Sequence, residues 1–260
     1  MAPRVTVERA GSLLRIGLNR PEKRNAADFR MLQELAAAYG ELDRNPELRA
    51  GVVFAHGDHF TGGLDLADIG AHVGPDGISF LPAGGIDPWQ VSSPPVTKPV
   101  VMAVQGVCFT LGIELALASD VVVAADSARF AQLEVARGIL PFGGATMRFP
   151  RAAGWSAAMR WMLTGDEFDA AEAQRLGVVT EVVPHGAQLE RATELAERIA
   201  AQAPLAVQAT LASARLARSA GDEAAAAGLQ PALVRLLGTE DAALGMRAFA
   251  ERRPADFRGR

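Results

Sequence analysis

Apolar positions near the start of the chain recur at every second residue. Val5 and Val7, then Leu14, Ile16 and Leu18, follow this period, which is that of half-buried strands. Ala10-Gly11 between the two runs predicts a hairpin. The period changes after residues 25–28, which read as a turn and helix cap. Met31, Leu35, Ala38 and Leu42 then recur at helical spacing until Asn45-Pro46 stops the run. Residues 51–55, 99–104 and 121–125 are short apolar runs and predict buried strands. Strands of this kind separated by helices favour a parallel sheet with crossover connections.

Residues 74–95 hold four glycines and five prolines, a density that sustains neither a helix nor a central strand. So long a loop is either functional or a tolerated surface insertion. The last third differs. After a strand-like run at 178–183 come alanine-rich helical stretches: Leu189, Ala192, Leu195 and Ile199, then residues 205–217, then residues 232–253. Alanine permits close packing but buries little area, so such helices need a partner surface. The pattern predicts an α/β core over residues 1–190 and a helical region over 191–260, packed on the core or on a neighbouring subunit.

Composition narrows the class. Of 260 residues 49% are apolar and 22% charged, as in a globular protein rather than a disordered one. The net charge of −4, with no block of like charges, argues against a nucleic-acid or anionic-membrane surface. Only Lys23 and Lys98 are lysines; the other basic residues are arginines. The single cysteine, Cys108, excludes an internal disulfide and a Cys-rich zinc site. With no membrane-length apolar run and no secretory signal pattern, a cytoplasmic location is expected.

The familiar signatures of serine hydrolases, P-loops, dinucleotide folds and zinc proteases are missing. His56 and His59 suggest no third metal ligand, and Cys108 lies among apolar neighbours as a core residue would. No metal site is expected. Two segments stand out. His59 to Leu66 (HFTGGLDL) places consecutive glycines after a strand, where backbone N–H groups can approach a ligand closely. Gln105 to Leu115 (QGVCFTLGIEL) turns from a strand into a helix whose free N–H groups face the end of the sheet. Glu114 sits in the first turn of that helix within an apolar run. It either favours the helix dipole or serves chemistry, and pattern alone leaves both open.

These residues resemble the crotonase superfamily of enoyl-CoA hydratases and isomerases. The resemblance starts at LNRPEKRNA (Leu18 to Ala26) and continues through FTGGLDL, GVCFTLGIELALASD and FAQLE (Phe130 to Glu134). It ends with GILP (Gly138 to Pro141), LTG (Leu163 to Gly165) and FAERRP (Phe249 to Pro254). It implies a crotonase-like ββα spiral core with a C-terminal helical region, acting on an acyl-CoA in lipid metabolism. Coenzyme A would enter as part of the substrate and no separate cofactor is needed. The resemblance further implies a homotrimer, often paired as a hexamer.

Carried over by position, Glu114 and Glu134 would be the acid–base pair, with Glu114 activating water and Glu134 delivering the proton. Gly62 and Leu111 would supply the oxyanion-hole N–H groups. Lys23, Arg24 and Ala26 would meet coenzyme A, and Gly63, Leu64, Asp65 and Leu66 would shape the adjoining turn, with Asp65 pinning it. Phe142 would shape the pocket. Several residues depart from the family pattern: Leu111 and Phe142 replace glycines, Leu64 a small residue, Leu133 a proline, and Ala67 a common lysine. The two glutamates favour hydration of a 2-enoyl-CoA. The alternatives are another acyl-CoA reaction, isomerisation or hydrolysis, and non-catalytic acyl-CoA binding.

Overall fold

The alternating start of the chain forms β1 (Val5–Ala10) and β2 (Leu13–Leu18), paired antiparallel with Val5 opposite Leu18. The computed structural model describes residues 2–260. Helix α1 (Phe29–Arg44) begins where the Asp28 carboxylate accepts the Met31 N–H, a side-chain N-cap. It buries Met31, Leu35, Ala38 and Leu42, as the periodicity predicts. At its far end the buried Lys98 ammonium donates to the carbonyls of Leu42 and Asn45, groups the helix itself leaves unpaired.

The next elements are β3 (Ala50–Ala55), the single-turn α2 (Leu66–Ile69), β4 (Val73–Gly74), β5 (Gly77–Ile78), β6 (Val100–Val104), β7 (Val107–Phe109) and α3 (Leu111–Ala118). They are followed by β8 (Val121–Ala125), β9 (Arg129–Ala131), α4 (Ala145–Ala153), α5 (Trp155–Thr164), β10 (Phe168–Asp169) and α6 (Ala170–Arg175). The chain closes with β11 (Glu181–Val183), α7 (Gln188–Ala200), α8 (Pro204–Ala220), α9 (Asp222–Leu237) and α10 (Glu240–Ala250).

The main sheet has the order β1-β2-β3-β6-β8-β11 and is parallel from β2 onward. Its alternate residues serve two cores. Val53, Met102 and Val122 face the larger cluster, which includes α1 and α3. Val52, Val101 and Val123 face Ala192, Ala196 and Ala200 of α7, a small-residue stripe that lets the helix lie close on the sheet. A second sheet contains β7, β9 and β10, and Thr61 adds a bridge to Cys108 of β7. Thus β3, β6 and β8 each lead from the main sheet into the second layer, and α3 follows the second of these passages. This repeated turn is the expected ββα spiral, and it carries the segments after β3, β7 and β9 to one region of the molecule.

Several boundaries differ from the pattern. In residues 178–183 only Glu181–Val183 is strand, because the N–H groups of Val178 and Val179 both turn back to the Ala173 carbonyl. Residues 232–253 are two helices rather than one. Gly238 follows α9, and the Thr239 hydroxyl caps α10 by accepting the Ala242 N–H. The boundary expected at 190/191 falls inside α7, which belongs to the packed core. Residues 74–95 contain the small β4–β5 hairpin. They are also tied down at Asp87, whose buried carboxylate accepts the N–H groups of Trp89, Val91 and Ser92. No helix among the described residues is long and apolar enough to cross a membrane.

Candidate active site

Helix α3 is buried along its whole length, and Glu114 is its one charged residue. One carboxylate oxygen accepts the Ala145 N–H at 3.0 Å, at the start of α4. Gly143 lies against the same group. A Cβ there would stand 2.6 Å from Glu114 Oε2 and 3.0 Å from Trp89 Cδ1. Burial raises the Glu114 pKa, while the amides of residues 143–145 and the Arg148 charge oppose that rise. Glu134 opens the 3-10 turn Glu134–Arg137 after β9, and its Oε2 is buried without a partner. Burial, together with the charge of Glu114, pushes the Glu134 pKa up to about 7. The pair therefore differs in a useful way. Burial raises both, but Glu114 has backbone donors that offset part of its rise, whereas Glu134 Oε2 has none.

The glycine turn is built on Asn25, which is fully buried with positive φ. Its side chain accepts the Arg20 N–H and donates to the carbonyls of His56 and His59. Thr61 Oγ1 donates to the Asn25 carbonyl. These bonds decide which N–H groups are free. Gly62 donates to the Arg24 carbonyl at 2.8 Å, Gly63 to Thr61 Oγ1 at 3.1 Å, and Asp65 to the Ala27 carbonyl at 2.9 Å. The expectation that Gly62 offers its N–H to a ligand is therefore corrected. Between Gly62 and Asp65, the N–H with no acceptor among the described residues is that of Leu64. The sequence marked Leu64 as an unusual residue in a turn of small ones, which was the available signal.

The N–H of Leu111 is free: this is the first residue of α3, and its N–H has no acceptor among the described residues. Thr110 before it has φ 51° and ψ −114°, a strained conformation for a residue with a side chain. Gly63, with φ 105°, lets the two turns touch, because Thr110 Oγ1 occupies the place of a Cβ.

Leu64 and Leu111 line two adjoining cavities together with Glu114, Leu66 and Phe142. The smaller, of about 100 Å³, also includes Glu134, Leu133 and Arg137. The larger, of about 480 Å³, extends to Phe80 and Trp89. Phe142 stands half-exposed where the two meet, as a pocket-shaping residue would.

The remaining expected residues lie outside both cavities. The Asp65 carboxylate pairs with Arg20 at 2.7 Å, which lowers its pKa. It pins the turn to Arg20. Lys23 and Arg24 are exposed on a neighbouring turn, where the Ala26 N–H donates to Lys23 and the Ala26 carbonyl accepts from Arg20. His56 bonds Thr6, His59 accepts the Val107 N–H, and burial pushes the Cys108 thiol up. Sequence reasoning missed Trp89 and Arg148 altogether, since neither falls in a recognisable motif.

The spiral of paired strands, the two free N–H groups and the two carboxylates define a protein of the crotonase class. The comparisons place it in a family. A family profile described as enoyl-CoA hydratase/isomerase matches residues 8–260. The enoyl-CoA hydratase EchA19 of Mycobacterium tuberculosis is 34% identical, covering 99% of this chain and 97% of the relative. The 2,3-dehydroadipyl-CoA hydratase of Escherichia coli is 33% identical, with 98% of each covered. A crystal structure from Mycobacterium abscessus, described as a probable enoyl-CoA hydratase/isomerase, superposes with a TM-score of 0.96 at 54% identity, covering 99% of both chains. The chain belongs to the enoyl-CoA hydratase/isomerase family.

Proposed function

We propose that the protein is an enoyl-CoA hydratase that adds water across the 2,3 double bond of a 2-enoyl-CoA. The observation that carries this reading is two buried glutamates lining one cavity, Glu114 held by the Ala145 N–H and Glu134 with an oxygen left unpartnered. Glu114, held by the Ala145 N–H, takes a proton from water as its oxygen adds at C3. Glu134, with its pKa near 7, delivers a proton to C2. The thioester oxygen gathers negative charge between these events and accepts the N–H groups of Leu64 and Leu111. Each preorganised donor of this kind is worth about 2.7–4 kcal/mol in the transition state. The Lys23-Arg24 turn meets the phosphates of coenzyme A, and no further cofactor takes part.

Isomerisation or hydrolysis would use the same oxyanion donors but not the same pair of carboxylates. Product masses decide between them: hydration adds one water to the enoyl-CoA, and isomerisation adds nothing. An unchanged mass with a moved double bond would replace this reading. Tight binding with no turnover would favour a non-catalytic acyl-CoA-binding role.

The same proposal includes a homo-oligomer, a trimer or a pair of trimers, in the cytoplasm. Trp155, Val234 and Phe249 are large apolar side chains left mostly exposed on α5, α9 and α10, which is costly in a lone subunit. A monomeric mass by light scattering would contradict it.

A further inference from the structure

The larger cavity has a composition that selects among acyl groups. Leu32, Ile69, Ile78, Phe80 and Trp89 form its walls, and no Lys, Arg or His lines it among the described residues. Its three acids, Asp76, Asp87 and Glu114, offer nothing to an anionic ligand. Asp87 is occupied by three backbone N–H groups, and Asp76 is itself negative. At about 480 Å³ it exceeds several-fold the chamber of about 100 Å³ that holds both glutamates.

Trp89 connects this chamber to the chemistry. Its indole N–H donates to the Leu111 carbonyl at 2.9 Å, one peptide beyond the free Leu111 N–H. Its backbone N–H is held by Asp87, and Phe80 meets its ring edge-on at 6.0 Å between centroids. Its Cδ1 lies by Gly143, the residue against the Glu114 carboxylate. The strained Thr110 turn persists only where its surroundings over-determine it, and the indole bond is one of those restraints.

We infer that Trp89 is a specificity and positioning residue, through which a long, uncharged acyl chain in the larger cavity braces the Leu111 oxyanion peptide. This rests on the hydratase reading above for its kinetic half only. Binding energy from a remote apolar chain is then expressed partly in kcat, because it firms a donor used in the transition state. Acyl chains well beyond four carbons are preferred, and those ending in a carboxylate are rejected.

The test uses crotonyl-, octenoyl- and dodecenoyl-CoA, together with an octenoyl-CoA bearing a terminal carboxylate. Binding of butyryl-, octanoyl- and dodecanoyl-CoA, which lack the double bond, is followed in parallel by tryptophan fluorescence. The wild-type protein is expected to bind dodecanoyl-CoA at least about tenfold more tightly than butyryl-CoA. Its emission should change with a component absent from Trp89→Phe. Trp89→Phe keeps an apolar wall but loses the N–H, so kcat falls about tenfold while binding of the saturated esters stays within about twofold. Trp89→Leu additionally flattens the chain-length preference.

Equal binding of all three saturated esters, preference for the carboxylate-ended substrate, or an unchanged kcat in Trp89→Phe would each overturn the inference. The wild-type measurements need no folded variant. Length-dependent binding without hydration of any enoyl-CoA would remove the hydratase reading, and would support the selectivity of the chamber.

Discussion

Replacing Gly143 with alanine perturbs the proposed acid–base pair without replacing either glutamate. The added Cβ would lie 2.6 Å from Glu114 Oε2, 3.0 Å from its Cδ and 3.0 Å from Trp89 Cδ1. Methyl carbon does not approach carboxylate oxygen so closely, so the carboxylate must move by roughly half an ångström or more to restore ordinary contact. Its room is limited, since α3 is buried throughout and the Ala145 N–H fixes the other oxygen. A misplacement approaching 1 Å costs about a hundredfold in rate. The packing cost to the fold is about 1–3 kcal/mol. We therefore expect Gly143→Ala to lower kcat about 30- to 100-fold while the protein remains folded. Loss of enoyl-thioester absorbance measures the rate, and thermal melting by circular dichroism measures the fold. A folded Gly143→Ala protein with wild-type kcat would refute the placement of Glu114 as the water-activating base.

Other consequences follow from the same geometry. Glu134 titrates near 7 in the folded protein against about 4.5 ordinarily, so between these values the native state keeps a proton that the unfolded chain releases. Stability should fall as pH rises through that window. Glu134→Gln, neutral throughout, should gain about 2 kcal/mol on the wild type between pH 5 and pH 8, a figure reduced for water at the cavity mouth; parallel melting curves across this range would contradict it. Because Glu134 acts protonated in the proposed mechanism, kcat/KM should decline above about pH 7, and a rate still rising at pH 9 would reverse the assigned roles. Asn25→Ala strands an N–H and two carbonyls in the core. It should cost about 2–4 kcal/mol in urea unfolding, with a larger loss of activity as the Leu64 turn loosens.

How much of this was legible beforehand depended on whether local pattern or tertiary bonding decided the outcome. The strand at 121–125 and the helix from Phe29 follow from period and cap, and the structure places them where the pattern does. Glu114 was marked by a charge inside an apolar run, which burial in α3 explains. The donor at the glycine turn was misassigned to Gly62. Its N–H is claimed by the carbonyl of Arg24, thirty-eight residues earlier in the chain, and no local pattern reveals such a bond. Trp89 lay in a stretch read only as a proline- and glycine-rich loop, because its role depends on reaching Leu111 across the fold. The single helix expected over 232–253 failed at Gly238-Thr239, a glycine and a capping hydroxyl that alanine-rich surroundings obscured.

The central claim is that Glu114 and Glu134 together add water to an enoyl-CoA. The direct measurement is hydration by the Glu114→Gln, Glu134→Gln double variant beside the wild-type protein, with product masses recorded for both. The wild type should yield an acyl-CoA heavier by one water, and the folded double variant should retain less than about one part in a thousand of that rate. Hydration by the double variant at a rate near wild type would show that the two glutamates are not the machinery.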